Sequence, residues 1–184
     1  MSVSENSPVK TGLWLILLTI ASVLTTFALA CATPVAAFGA LAALHMKRAE
    51  AMMLMGAIWL ASQAVGFGYL HYPHTPGTIA WGGALLITAL VTMEGAAFVA
   101  RRLETAPHAA RAVGALAAAM VSFKAVTYLF GMELGGNAAA FKASFVFNFA
   151  WTNALTFVVL LVLYQVAVVV GLVVRSNGPQ PLTA

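Results

Sequence analysis

Three kinds of residue in this sequence could do chemistry: a single cysteine, Cys31; two histidines, His71 and His74, three apart across a proline; and two ionisable residues, Glu94 and Lys124, set inside apolar runs. A thiolate and an imidazole are ligands for transition metals, and a cysteine whose thiolate is favoured is also a nucleophile. Glu94 and Lys124 are costly in hydrocarbon, and an ionisable residue at membrane depth marks a functional site by default. Each has a plainer reading. Cys31 lies among Ala28, Ala30 and Ala32, where a cysteine packs as a small apolar residue. Two histidines alone are a weak metal signal, and Glu94 and Lys124 either reach toward each other or snorkel to opposite surfaces. His45, beside Lys47 and Arg48, and His108, in a basic linker, read as solvated.

Polar and aromatic residues collect in three segments: Cys31, Thr33 and Pro34; Tyr69, His71, Tyr72, His74 and Thr75, with Trp81 just beyond; and Met132, Glu133 and Asn137. Aromatic rings offer flat apolar contact to a ligand, although Tyr, Trp and His also form the interfacial belt of any membrane protein. In the last apolar run Asn148, Trp151 and Asn153, with Gln165 deeper, need partners in a dry interior and are expected to face neighbouring helices. Tyr69, His71, Tyr72, Trp81, Asn148 and Trp151 are thus expected to surround one cavity, with His74 beside them.

The elements that must position these residues follow from charge and hydropathy. The 184 residues are 62% hydrophobic and 8% charged, with a mean hydropathy of +0.95. Soluble domains carry about 25% charged residues, so this chain belongs in a bilayer. Residues 11–46, 51–93 and 143–174 contain no Asp, Glu, Lys or Arg. A crossing takes about 20 apolar residues, so the first two stretches hold two helices each. Thr33-Pro34 splits the first and Tyr72-Pro73-His74-Thr75-Pro76-Gly77 the second. The reading is an all-α, six-helix transmembrane bundle with helices near 12–31, 35–46, 50–70, 78–100, 110–131 and 140–174. It forms one membrane domain over 12–174, between a polar N-terminal tail (1–11) and a disordered C-terminal tail (175–184).

The nine basic residues form no run or stripe, which sets nucleic acid aside as a partner. With six helices, Lys10, Lys47, Arg48, Arg101, Arg102, Arg111 and Arg175 share one side, and the opposite loops 31–34, 71–77 and 131–139 hold only Glu133. Positive residues favour the cytoplasm, so both termini are expected inside with those three loops facing out. Ala28-Leu29-Ala30 before Cys31 also fits a signal-peptide cleavage site, a competing reading of the first apolar run. Small residues in helices one, two and five suit close helix approach. No phosphate loop, HExxH helix or hydrolase elbow is present.

Six helices with such outer loops resemble the membrane substrate-binding subunits, or S-components, of energy-coupling-factor vitamin transporters. Within that group, Cys31-Ala-Thr-Pro34-Val-Ala-Ala-Phe-Gly-Ala-Leu-Ala-Ala-Leu44, Trp59-Leu-Ala-Ser-Gln63-Ala-Val-Gly-Phe-Gly68, Tyr72-Pro73 and Ala80-Trp81-Gly82 resemble the BtuM family of small cobalamin-uptake proteins. The resemblance covers the first half of the chain. It implies a periplasm-facing pocket that binds cobalamin as ligand, with no intrinsic cofactor. It also implies a Cys31 thiolate in an axial position on the corrinoid cobalt, promoting loss of cyanide from cyanocobalamin. Its implied partners are the vitamin, the lipid bilayer and an energy-coupling membrane module.

Two other readings stand beside it. One is a structural or accessory subunit whose small-residue faces dock a larger complex, and which would show no outer pocket. The other is a small metal-ion permease using His71, His74 and Glu94, at least two of which would have to face one cavity.

Overall fold

A computed structural model describes residues 8–28, 34–135 and 142–173. Among these every regular element is a helix: α1 (Pro8–Ala28), α2 (Val35–His45), α3 (Arg48–Gln63) running on into a π-helical segment (Ala64–Tyr69), α4 (Pro76–Arg102), α5 (His108–Leu134) and α6 (Ala143–Val169). Five of these are long and apolar enough to cross a bilayer, with α2 the short exception. The protein is a multi-pass, all-α membrane protein.

The helix ends have local causes. Thr75 caps α4 by accepting the Thr78 N–H at 3.3 Å, and Pro76 opens the helix where its missing N–H costs nothing. Glu50 returns to the Lys47 N–H at 3.2 Å, closing the start of α3. Gly135 (φ 79°) ends α5 and Gly171 (φ 72°) ends α6 in the left-handed conformation that glycine alone adopts freely. Gly131, Met132 and Glu133, expected in a loop, therefore lie on the last turn of α5. One glycine does not break a helix whose ladder continues through Gly135, where the N–H bonds the Gly131 carbonyl at 3.0 Å.

At the centre stands α2. Residues 36–42 are all buried, and the helix packs against α3, α4, α5 and α6. A helix buried all round needs no polar face, and its alanines let α4 and α5 approach. Gly95 of α4 lies close against Ser122 of α5, where an added Cβ would collide with the Ser122 hydroxyl. Trp14 and Leu18 seat α1, with Trp14 against Tyr164 of α6 at 6.3 Å between rings. Outward-facing Leu13, Ile16, Leu155, Val159 and Val166 are exposed, as a lipid-facing surface requires.

Lys10 near the start of α1 donates to the Gly171 carbonyl at 2.9 Å. The start of α1 and the end of α6 therefore lie at one end of the bundle, as an even number of alternating helices requires. We call this the 103–107 end, after the α4–α5 turn, and the opposite one the 70–75 end.

Candidate functional site

One cavity of about 330 Å³ is lined by residues from six elements and the turn before α4. Val35 comes from the start of α2, Ile58, Trp59, Ser62 and Gln63 from the last turns of α3, and Val65, Gly66, Leu70 and Tyr72 from the π-helical segment and the turn after it. Leu85 and Ala89 of α4, Phe123 of α5 and Phe149 of α6 close the wall. Each helix contributes the part nearer the 70–75 end, which places the cavity in that half of the bundle. No charged side chain is among these residues.

The end of α3 builds the polar part. Trp59, Ser62, Gln63 and Gly66 recur at i, i+3, i+4 and i+7, one helical face. The Trp59 indole N–H donates to the Gly82 carbonyl at 2.8 Å and ties α3 to α4. The Ser62 hydroxyl donates to the Trp59 carbonyl at 2.7 Å, and Gln63 Nε2 donates to Ser62 Oγ at 3.3 Å. Gly82 lets the amide come so near, since a Cβ there would stand 2.9 Å from Gln63 Oε1.

The π-helical segment then folds the 70–75 turn back over the site. A π turn is uncommon and recurs at functional positions because it re-aims the side chains around it. The Tyr72 N–H donates to the Gly66 carbonyl at 3.1 Å, and a Cβ on Gly66 would stand 2.9 Å from the Tyr72 ring. Phe67 meets Tyr72 edge-on at 6.3 Å and His74 at 5.2 Å between rings. Across the cavity Phe123 and Phe149 stack at 5.2 Å.

Of the residues expected around one cavity, Tyr72 alone lines it. Trp81 stands one turn before Leu85 on the same side of α4, in register with the wall but short of it. Tyr69 is exposed, and His71 is exposed in a left-handed backbone conformation (φ 55°). Asn148 and Trp151 are exposed as well. The buried stripe of α6 is Asn153, Thr156, Phe157, Leu160, Tyr164 and Ala167, and helical phase turns Asn148, Trp151 and Gln165 out of it. Asn153 does face the bundle. Cys31, Thr33 and Asn137 lie outside the described residues.

Glu94 and Lys124 do not pair. Gly95 against Ser122 and Gly114 against Leu103 set an antiparallel register that brings Glu94 and Lys124 to one level. The separation is around the helix axes. Glu94 turns toward α3 and binds Arg48 at 2.6 Å, while Lys124 turns toward α6 and places its ammonium 4.6 Å from the centre of the Phe149 ring. Glu94 is thus remote from His71 and His74, and no group of three metal-ligating side chains occurs among the described residues. The two polar residues read as solvated divide: His108 is exposed, but the His45 ring stacks on Tyr164 at 3.9 Å with Nδ1 buried.

Trp59, Ser62, Gln63, Phe123 and Phe149 were not expected as lining. The polar i, i+3, i+4 recurrence within an apolar run was the signal for the first three; nothing marks Phe123 or Phe149 apart from other apolar positions. Comparison with protein-family models, with curated proteins and with solved structures found no match.

Proposed function

We propose that this protein captures a vitamin, specifically cobalamin, in the cavity at its 70–75 end, with that end facing the periplasm of a bacterial inner membrane and both termini in the cytoplasm. The observation that carries the reading is the cavity wall: four aromatic rings around a Ser62–Gln63 pair, uncharged and built by six elements. Flat apolar surface with few polar groups is how proteins hold compact ring ligands. A cavity of about 330 Å³ is near the lower end for drug-sized ligands, roughly 300–1,000 Å³. A corrinoid therefore seats one amide-fringed edge here and extends beyond the described wall.

Cys31 belongs to the same proposal. It precedes the lining residue Val35 by four positions, and a chain of that length spans at most about 14 Å. Within that reach its thiolate donates an electron pair to the cobalt of the bound vitamin, and cyanide leaves with its own pair. An energy-coupling membrane module would then drive release.

The test is the visible spectrum and mass of protein purified from cells fed cyanocobalamin. Retained corrinoid with shifted bands, and loss of the shift in Cys31→Ser, is the expected result. Retention with unshifted bands in the wild type removes the thiolate step. No retained corrinoid overturns the cargo.

A further inference from the structure

Arg111 is a buried charge that the cavity does not use. It lies one turn into α5, on the stripe Arg111–Ala115–Ala119 that packs into the bundle, and only 7% of it is exposed. Its Nε is buried and unbonded, and no described residue forms an ion pair with it. The acids of this end among the described residues are engaged elsewhere or stand apart: Glu50 bonds the Lys47 N–H, Glu94 binds Arg48, and Glu104 in the adjoining turn makes no bridge to Arg111.

A guanidinium does not escape burial by losing its proton. Held largely away from water with its Nε unbonded, such a charge is destabilising unless an anion meets it. Its surroundings add positive character instead of cancelling it. His45, the last residue of α2, has a second buried nitrogen, Nδ1, with no partner, and both Arg111 and His108 act on that ring electrostatically. The first-turn amides of α5 follow Pro107, which provides no side-chain cap, so the positive end of the helix is also open.

We propose that Arg111 is the centre of a phosphate-binding site at the 103–107 end, its guanidinium and the open amides of α5 holding the oxygens of a phospholipid headgroup or of a free phosphate. Guanidinium and phosphate match in a two-pronged, charge-assisted geometry, and helix N-termini favour the same anion. The level is also right: the site lies at the ends of the spanning helices, where a bilayer carries its phosphates.

The experiment needs no vitamin, so it stands or falls apart from the cavity. Protein in a neutral maltoside, free of phosphate, is unfolded by heat with added dihexanoyl-phosphatidylglycerol or added inorganic phosphate. The wild type is expected to gain a saturable rise in Tm. Arg111→Met is expected to lose that rise while being at least as stable as the wild type without ligand, because an uncompensated charge has gone. A rise with lipid alone assigns the site to the leaflet, and a rise with both assigns it to the phosphate group. No rise with either, or an equal rise in Arg111→Met, overturns the proposal. Should that variant not fold, native mass spectrometry of the wild type decides: one phospholipid or phosphate retained per chain after the rest are stripped supports the site, and none overturns it.

Discussion

Asn153 of α6 caps a helix that is not its own. Its Oδ1 accepts the Ala37 N–H in the first turn of α2 at 3.0 Å, while its Nδ2 donates to the Phe149 carbonyl at 2.9 Å. Pro34 at the α2 N-cap has no side-chain oxygen to offer, so the cap comes from across the bundle. The same bond fixes the distance between Val35 and Phe149, two walls of the cavity.

Asn153→Ala therefore loosens two things at once. The Ala37 N–H keeps its bond to the Pro34 carbonyl at 3.0 Å, so the cost is that of one buried hydrogen bond, about 1 kcal/mol. In a chain of this length that lowers Tm by about 2–4 °C, measured by thermal unfolding in detergent. An unchanged Tm would show that the cap is not formed.

Gly66→Ala puts a methyl where the Tyr72 ring lies. The ring is a side-chain end and swings away, so the bundle survives while the mouth of the cavity changes shape. Affinity for cyanocobalamin, read by titration of tryptophan fluorescence, should fall about tenfold, or roughly 1.4 kcal/mol. Gly68→Ala, where nothing lies within 4 Å, is the control and should bind as the wild type does.

Gln63→Leu removes the amide from the wall and keeps its bulk. If the amide bonds the ligand, affinity drops about tenfold, the upper range for one net hydrogen bond. The tryptophan anchor is separable: Trp59→Phe deletes the bond to the Gly82 carbonyl and should lower Tm as well as affinity.

Orientation is tested with cysteines at Pro73 and Thr105, each exposed, in a Cys31→Ser background. An impermeant maleimide added to intact cells should label the first and spare the second until the membrane is opened. The reverse pattern would invert the topology and move the cavity to the cytoplasmic side.

Much of the fold was legible. The prolines at 34, 73 and 76 break the apolar stretches where the structure breaks them, because proline acts through its own missing donor and needs no tertiary context. What depends on context was less visible. Glu94 selects Arg48 over Lys124 because of how α4 and α5 are turned, and azimuth is fixed by packing. Arg111, counted with the linker cations, is buried because α5 begins at His108 and carries it one turn inside. Tyr69 and Trp151 drew notice as large amphipathic side chains, yet the cavity walls are set by helix phase, which chose Trp59, Phe123 and Phe149.

The shortness of α2 bears on how the protein is made. Its 11 residues rise about 16 Å, half of the roughly 30 Å of hydrocarbon, so it has no stable berth in lipid by itself. It is also enclosed by helices synthesised after it, and its cap arrives with Asn153, 116 positions later. A ribosome-bound chain ending before α6 therefore holds a half-length helix without its Asn153 cap and with its α6-facing side open to lipid. Biogenesis must keep α2 at the translocon or under a membrane chaperone until the last span emerges, and chains truncated ahead of Asn153 should be cleared by membrane proteases.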